Sequence, residues 1–279
     1  MKIERVTPIY FSATGNTIRI VSTFTESLGI DDVRKFNLSI PEIREDFTDI
    51  NFEKTDLLLI GTPVYTGEVP DFLIPALEEL SGDGQPAVII TVNGNVGRGV
   101  ALEQLKCLLE ERGFKVIAAA SFIGEHSYSK EENEIAPGRP NEEDLSRAKE
   151  FGKNISDKLE SLDGFEKIEE IEIDLDKGFR SNIREMIPTP QYGIKKFIEK
   201  PVVDKKKCIS CGACANNCPK GAIDKETLEI DEEKCIRCMA CAKNCPNEAR
   251  KIEFKYPGLV RTFFEFMKND EPSEPTIYD

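Results

Sequence analysis

Eight of the nine cysteines in this 279-residue chain fall between Cys208 and Cys245, in two runs of identical spacing. They read Cys208-x2-Cys211-x2-Cys214-x3-Cys218-Pro219 and Cys235-x2-Cys238-x2-Cys241-x3-Cys245-Pro246. Asp204–Ile223 aligned with Asp231–Arg250 is identical at 12 of 20 positions, an internal duplication. Two-residue spacings let three thiolates of one tight turn converge on an inorganic iron-sulfur cube, whose soft iron prefers sulfur. A pair of structural zinc sites is the competing assignment, because C-x2-C units alone would serve zinc. Four cysteines per run, each run closed by Cys-Pro and the whole duplicated, favour the cubes.

A second chemical element lies near the start of the chain. Residues 4–11 read as a strand that runs into Ser12-Ala13-Thr14-Gly15-Asn16-Thr17 and then a helix with Ile18, Val21, Phe24 and Leu28 on one side. Strand, hydroxyl-rich turn and helix start build an anion site from backbone N–H groups and hydroxyls, without a lysine. Neither G-x4-G-K-[ST] nor G-x-G-x-x-G occurs at this turn. A Ser/Thr cap with a glycine turn would account for one or two of these residues and not for all five.

The elements that must position these groups follow from the pattern. Strand candidates at Val33–Phe36, Asp56–Ile60, Ala87–Val92 and Lys115–Phe122 alternate with helices near 71–80, 99–112 and 141–160. With the first strand they predict an α/β fold, a doubly wound five-stranded parallel sheet with helices on both faces. Ligands then sit beyond the carboxyl ends of the strands. The loops there are Ser12–Thr17, Thr62–Pro70 and Asn93–Gly99. Glycines let main-chain amides approach a flat ring, and Tyr65 offers an aromatic face.

Residues Phe11–Thr17 resemble the phosphate loop of flavodoxins, and the next two loops stand where flavodoxins hold the isoalloxazine. The resemblance implies FMN, with Ser12, Thr14, Gly15, Asn16 and Thr17 on the phosphate. Pro63, Val64, Tyr65, Thr66 and Gly67, with Asn93, Gly94, Asn95 and Gly97, would lie along the ring. The second ring loop lacks the aromatic residue that many flavodoxins place there. Residues 200–254 resemble the bacterial-type two-cluster ferredoxins, a small α+β domain. In that motif the fourth cysteine of each run ligates the other cluster. The implied sets are Cys208, Cys211, Cys214 and Cys245 for one [4Fe-4S] cluster, and Cys235, Cys238, Cys241 and Cys218 for the other.

In this order the two modules resemble the flavodoxin-ferredoxin fusion proteins of anaerobes, the EFR-family ferredoxins. The implied organisation is a flavodoxin-like domain over 1–160, an arm or tether over 161–200, a ferredoxin domain over 201–254 and a tail over 255–279. Residues 124–128 and 136–140 look like that group's loop after the fifth strand. His126, the 1 histidine of the chain, is a contact or proton donor for flavin or substrate, or a loop histidine bonded to backbone. Tyr128 is a second candidate in the same loop. Arg139 is open between the FMN phosphate, a substrate anion and a nearby carboxylate. Cys107, in a helical pattern, reads as a small apolar core residue. Residues 259–267 read as an amphipathic strip packed on the protein itself, and the last dozen residues as frayed.

The formal net charge is -14, which disfavours nucleic acid and anionic membrane surfaces. Residues 201–254 hold 10 Lys+Arg and 9 Asp+Glu, so most acidity lies on the first module and the arm. That charge would steer a redox partner protein with a basic docking face. No apolar run reaches the roughly 20 residues of a membrane span. The cysteine usage and the start of the chain are those expected of a cytoplasmic protein. The leading reading is electron transfer between two [4Fe-4S] clusters and FMN, coupling one- and two-electron steps. The alternative is an FMN-dependent reductase of a small-molecule oxidant fed by its own ferredoxin domain, and a redox-sensing module is a third class. A long arm also allows a homodimer that shares sites between chains.

Overall fold

The structure, a computed structural model, describes residues 2–48, 50–174, 191–267 and 274–279. The first module is built on β1 (Arg5–Tyr10), which pairs in parallel with β2 (Asp32–Val33) and β3 (Phe36–Asn37) on one side and β4 (Asp56–Pro63) on the other. Then come β5 (Pro86–Asn93) and β6 (Lys115–Ile123), also parallel. Strands covered on both faces need unbroken apolar runs, and Leu57–Ile60, Ala87–Ile90 and Val116–Ala120 supply them, all buried. The strand expected over Val33–Phe36 forms as two pieces in one register, parted at the exposed Arg34 and Lys35.

One face of the sheet is covered by α1 (Asn16–Ser27) and α5 (Glu142–Ser161), which bury Ile20, Val21, Phe24, Phe151 and Ile155. The other face carries α2 (Pro41–Glu45), α3 (Ile74–Glu78) and α4 (Ala101–Glu111). The β2/β3-β1-β4-β5-β6 order reverses direction at β1, the flavodoxin-like arrangement, which opens a crevice at the carboxyl ends of β1 and β4. Cys107 corrects the sequence expectation. Ala101, Leu102, Leu105 and Leu109 take the buried side of α4, and Cys107 lies off it, exposed, its thiol pushed up by Glu111.

Past α5 the chain runs extended along the sheet, with the Ile171 N–H on the Val116 carbonyl at 3.0 Å. The Pro188-Thr-Pro190 part of the expected arm lies outside the described residues. A 3-10 stretch, Gln191–Lys196, leads into the cysteine-rich segment, framed by β7 (Val202–Val203) and β8 (Arg250–Lys251). Each repeat carries one short helix, α6 (Ala213–Asn216) and α7 (Ala240–Lys243). The duplication extends to the backbone. Ser210 and Arg237 have φ of 55° and 58°, and Gly212 and Met239 have 74° and 62°.

The tail forms α8 (Pro257–Met267), which buries Val260, Phe264 and Met267. The expected fraying of the last dozen residues is overturned for Thr276–Tyr278. These form β9, antiparallel to β6 at Ala119–Ser121, because the edge of β6 offers unpaired backbone groups. The sheet is therefore mostly parallel with one antiparallel edge. Among the described residues no helix is long and apolar enough to cross a membrane.

At Gly152 a Cβ would stand 2.8 Å from the Phe24 carbonyl oxygen and 1.9 Å from Ser27 Oγ. Gly152→Ala forces α5 away from α1 and is expected to cost about 1–3 kcal/mol. A lower midpoint with an unchanged slope in urea denaturation checks it.

Candidate functional site

The Ser12–Thr17 loop leaves β1 and opens α1. Ser12 Oγ accepts the Ile18 N–H at 3.1 Å, and the Ser12 N–H donates to Ser39 Oγ at 2.8 Å. Gly15, at φ 92°, turns the chain into the helix. No described residue accepts from the N–H groups of Thr14, Gly15, Asn16 or Thr17. Four consecutive donors at a helix start, without acceptors, match an anion with several oxygens.

Two further loops face this one. Thr66, at φ 50°, and Gly67 shape the turn after β4, and the Gly67 carbonyl accepts the Val100 N–H at 2.7 Å. Gly99, at φ 60°, has no room for a side chain, since a Cβ would stand 2.0 Å from the Gly67 oxygen. The two loops are thus locked together. After β5, Asn93 holds its loop by accepting the Asn95 N–H at 2.9 Å and donating to Ser121 Oγ and the Phe122 carbonyl.

Between these loops lies a cavity of about 400 Å³, within the range of small-molecule sites. Thr14, Asn16, Thr17, Pro63, Val64, Tyr65, Thr66, Asn93, Gly94 and Gly97 line it, as do His126 and Tyr128. Ser12, Gly15, Gly67 and Asn95 do not line it and shape the loops instead. Thr66 Oγ1 is buried without a hydrogen-bond partner, as a donor or acceptor awaiting a polar ligand would be. The loops therefore suit a phosphate joined to a flat, partly polar ring.

The 123–140 loop closes one side. Its start is tied to the phosphate-side loop by Asn16 Nδ2 on the Glu125 carbonyl at 2.9 Å. His126 packs against Gly94, where a Cβ would meet its ring at 2.3 Å. Its Nδ1 accepts the Tyr128 N–H at 3.1 Å, which leaves the ring proton on Nε2. Arg139 does not reach the cavity. It forms a two-pronged ion pair with buried Asp144, which also completes the capping box of α5 with Asn141. Of the three readings of Arg139, the nearby carboxylate is what the structure holds.

The rest of the wall comes from outside the first module. Ile194, Phe197 and Ile198 of the arm contribute, then Ile236, Arg237 and Cys238 of the second cysteine repeat, then Leu259, Val260, Phe263, Phe264 and Met267 of α8. Ile135, Ile198, Met239, Phe254, Val260 and Phe264 form a small core that joins all these segments. Polar contacts fasten the same junction. Lys243 Nζ donates to Glu125 Oε1 at 2.5 Å and to the Ser129 carbonyl at 2.7 Å, and Asn244 Nδ2 donates to the Ala13 carbonyl at 3.1 Å. Sequence reasoning missed these walls. The apolar Met239 inside a polar cysteine run, where the first repeat has Gly212, was the available signal.

The cysteines border two small cavities of about 20 Å³ each. One is lined by Cys208, Cys211, Cys214 and Cys245, and the other by Cys218, Cys235, Cys238 and Cys241. The last cysteine of each run thus stands beside the first three of the other. Cys218 and Cys245 each receive the N–H of the residue four positions on, at 3.3 and 3.2 Å. Arg250 Nη2 lies 3.5 Å from Cys214 Sγ. Burial pushes the Cys238 thiol up, and the Cys241 thiol up to about 12. A thiolate buried here needs compensating positive charge, which a metal centre would supply.

Residues 200–246 match a 4Fe-4S dicluster domain family. The strand order ahead of it is that of a flavodoxin-like fold, so the chain places such a fold before a segment similar to 4Fe-4S dicluster domains. An uncharacterised protein of Methanocaldococcus jannaschii is 26% identical over 143 residues, which is 50% of this chain and 89% of that protein. Among solved structures, flavodoxin 2 of Bacillus cereus is 17% identical, covering 55% of this chain and 99% of its own, with a TM-score of 0.42. The Streptococcus pneumonia TIGR4 flavodoxin is 18% identical over the same shares, with a TM-score of 0.40.

Lys243→Met removes the charged donor at the junction. It is expected to lower stability by about 1–3 kcal/mol and to speed proteolytic cleavage between residues 161 and 200, read by limited digestion of the intact chain.

Proposed function

We propose that this protein carries electrons from an external one-electron donor through two [4Fe-4S] clusters to FMN within one chain. One observation carries the reading: Cys238 lines both the inner four-cysteine cavity and the large cavity between the loops. A cluster held by Cys218, Cys235, Cys238 and Cys241 would then be a single residue from the flavin. When bound, FMN exchanges one or two electrons and each cluster one at a time, so the three groups convert one form of traffic into the other.

The chain's residues divide the work. The Thr14–Thr17 N–H groups would bind the phosphate, and the Pro63–Thr66 and Asn93–Gly97 loops would orient the ring. The arm and α8 exclude water from the far side. Cys208, Cys211, Cys214 and Cys245 would hold the outer cluster, where Ile209 is 63% exposed and Cys211 is also exposed. Electrons would enter there. The exposed Lys205, Lys206 and Lys207 beside this port favour an acidic rim on the donor, opposite to what the net charge of the whole chain implies.

Anaerobic reconstitution followed by iron, sulfide and flavin analysis tests the assignment, with about eight iron atoms and one FMN expected per chain. Zinc in place of iron, or no flavin absorbance, overturns it. Cys238→Ser is expected to remove roughly half the iron and to slow flavin reduction by a reduced ferredoxin, seen by EPR and stopped-flow absorbance.

The second reading is a reductase of a small apolar oxidant. It is favoured by the cavity mouth, where Leu259 and Phe263 both line the cavity and are more than half exposed. His126 would then supply a proton from Nε2. For a reductase, reoxidation of the reduced protein by a quinone should slow at least tenfold in His126→Ala with flavin content unchanged. For a carrier the rate is the same.

A further inference from the structure

Arg237 has the largest fully buried side chain of the described residues, and its guanidinium is 0% exposed. It stands between Cys235 and Cys238, and it lines both the large cavity and the inner cysteine cavity. Its position is fixed on three sides. Nε donates to the Ile198 carbonyl at 3.3 Å, Nη1 to the Cys235 carbonyl at 3.5 Å and Nη2 to Glu232 Oε1 at 2.7 Å. Ser210 occupies the equivalent place in the first repeat, with the same left-handed backbone. The cysteine turn itself therefore has no need of an arginine.

A guanidinium stays charged in any environment, and burying one is unfavourable without compensation. The carboxylate that pairs with it, Glu232, is 55% exposed. Water and salt screen that end of the pair, while the end facing the two cavities lies in a medium that screens poorly. We infer that Arg237 is a fixed cation shared by the flavin cavity and the inner cysteine set, where it stabilises added electrons in both. It is a positioning charge: no bond forms or breaks, and each electron comes from the external one-electron donor. The inference rests on the cofactor assignment above. It adds that the inner cluster and the flavin are tuned together and apart from the outer cluster, whose cavity Arg237 does not line.

The test is a spectroelectrochemical titration of the reconstituted full chain, with EPR for the clusters, in wild type, Arg237→Gln and Arg237→Lys. Arg237→Gln is expected to move the flavin and inner-cluster midpoints to more negative potential and leave the outer cluster in place. Arg237→Lys should retain most of the wild-type values. Unmoved flavin and inner-cluster potentials in a fully loaded Arg237→Gln protein overturn the inference. If that variant does not fold, Arg237→Met, which fills the same buried space without a charge, decides: the same two potentials should move negative, and no movement overturns the proposal. Failure of the underlying assignment looks different, because the wild-type chain would then lack flavin or iron before any variant is made.

Discussion

The architecture depends on the burial of one turn, Ile236–Met239, between two modules. Ile236, Arg237 and Cys238 complete the wall of the large cavity, and Met239 enters the core shared by the 123–140 loop, the arm and α8. Met239 adopts a left-handed backbone at φ 62°, a conformation costly for any side chain but glycine. The apolar area it buries offsets that strain. Without this turn the flavodoxin-like crevice would lose a side, and the tail helix would lose the surface it rests on.

The same turn breaks the symmetry of the duplication. Both repeats share spacing and backbone, yet Ser210 is exposed where Arg237 is buried, and Gly212 stands where Met239 enters the core. Two equivalent repeats would present two equal ends. Here one end is covered by protein and the other is open at Ile209 and Cys211, so the pair of cysteine sets has a direction. Under the proposed assignment that direction is the path of electrons.

Much of this was legible in residues. The apolar runs at Leu57–Ile60 and Val116–Ala120 marked buried parallel strands, and the hydroxyl-rich turn at Ser12–Thr17 marked the crevice. Spacing alone grouped the cysteines into runs. Other features were set by long-range packing, which spacing does not encode. Cys107 looked like a core residue because α4 is apolar around it, but its angular position places it outside. Thr276–Tyr278 looked frayed because its three residues are too few to show alternation, and the free edge of β6 ordered them. The role of α8 was half visible: its amphipathic pattern indicated packing, while the cavity beneath it could be seen only once the arm and the second repeat were in place. Arg139 was ambiguous because any buried carboxylate can claim an arginine, and Asp144, fixed by the α5 cap, lies nearest.

One small network has a practical bearing on how the protein is handled. Arg98, in the loop after β5, lies over the Tyr278 ring at 5.6 Å and donates to the Asp174 carbonyl, which Tyr278 Oη also reaches at 3.4 Å. The carboxy-terminal edge strand thus props the loop that borders the cavity. Proteolytic trimming of Thr276–Asp279 during preparation would remove that prop without touching a residue that lines the cavity.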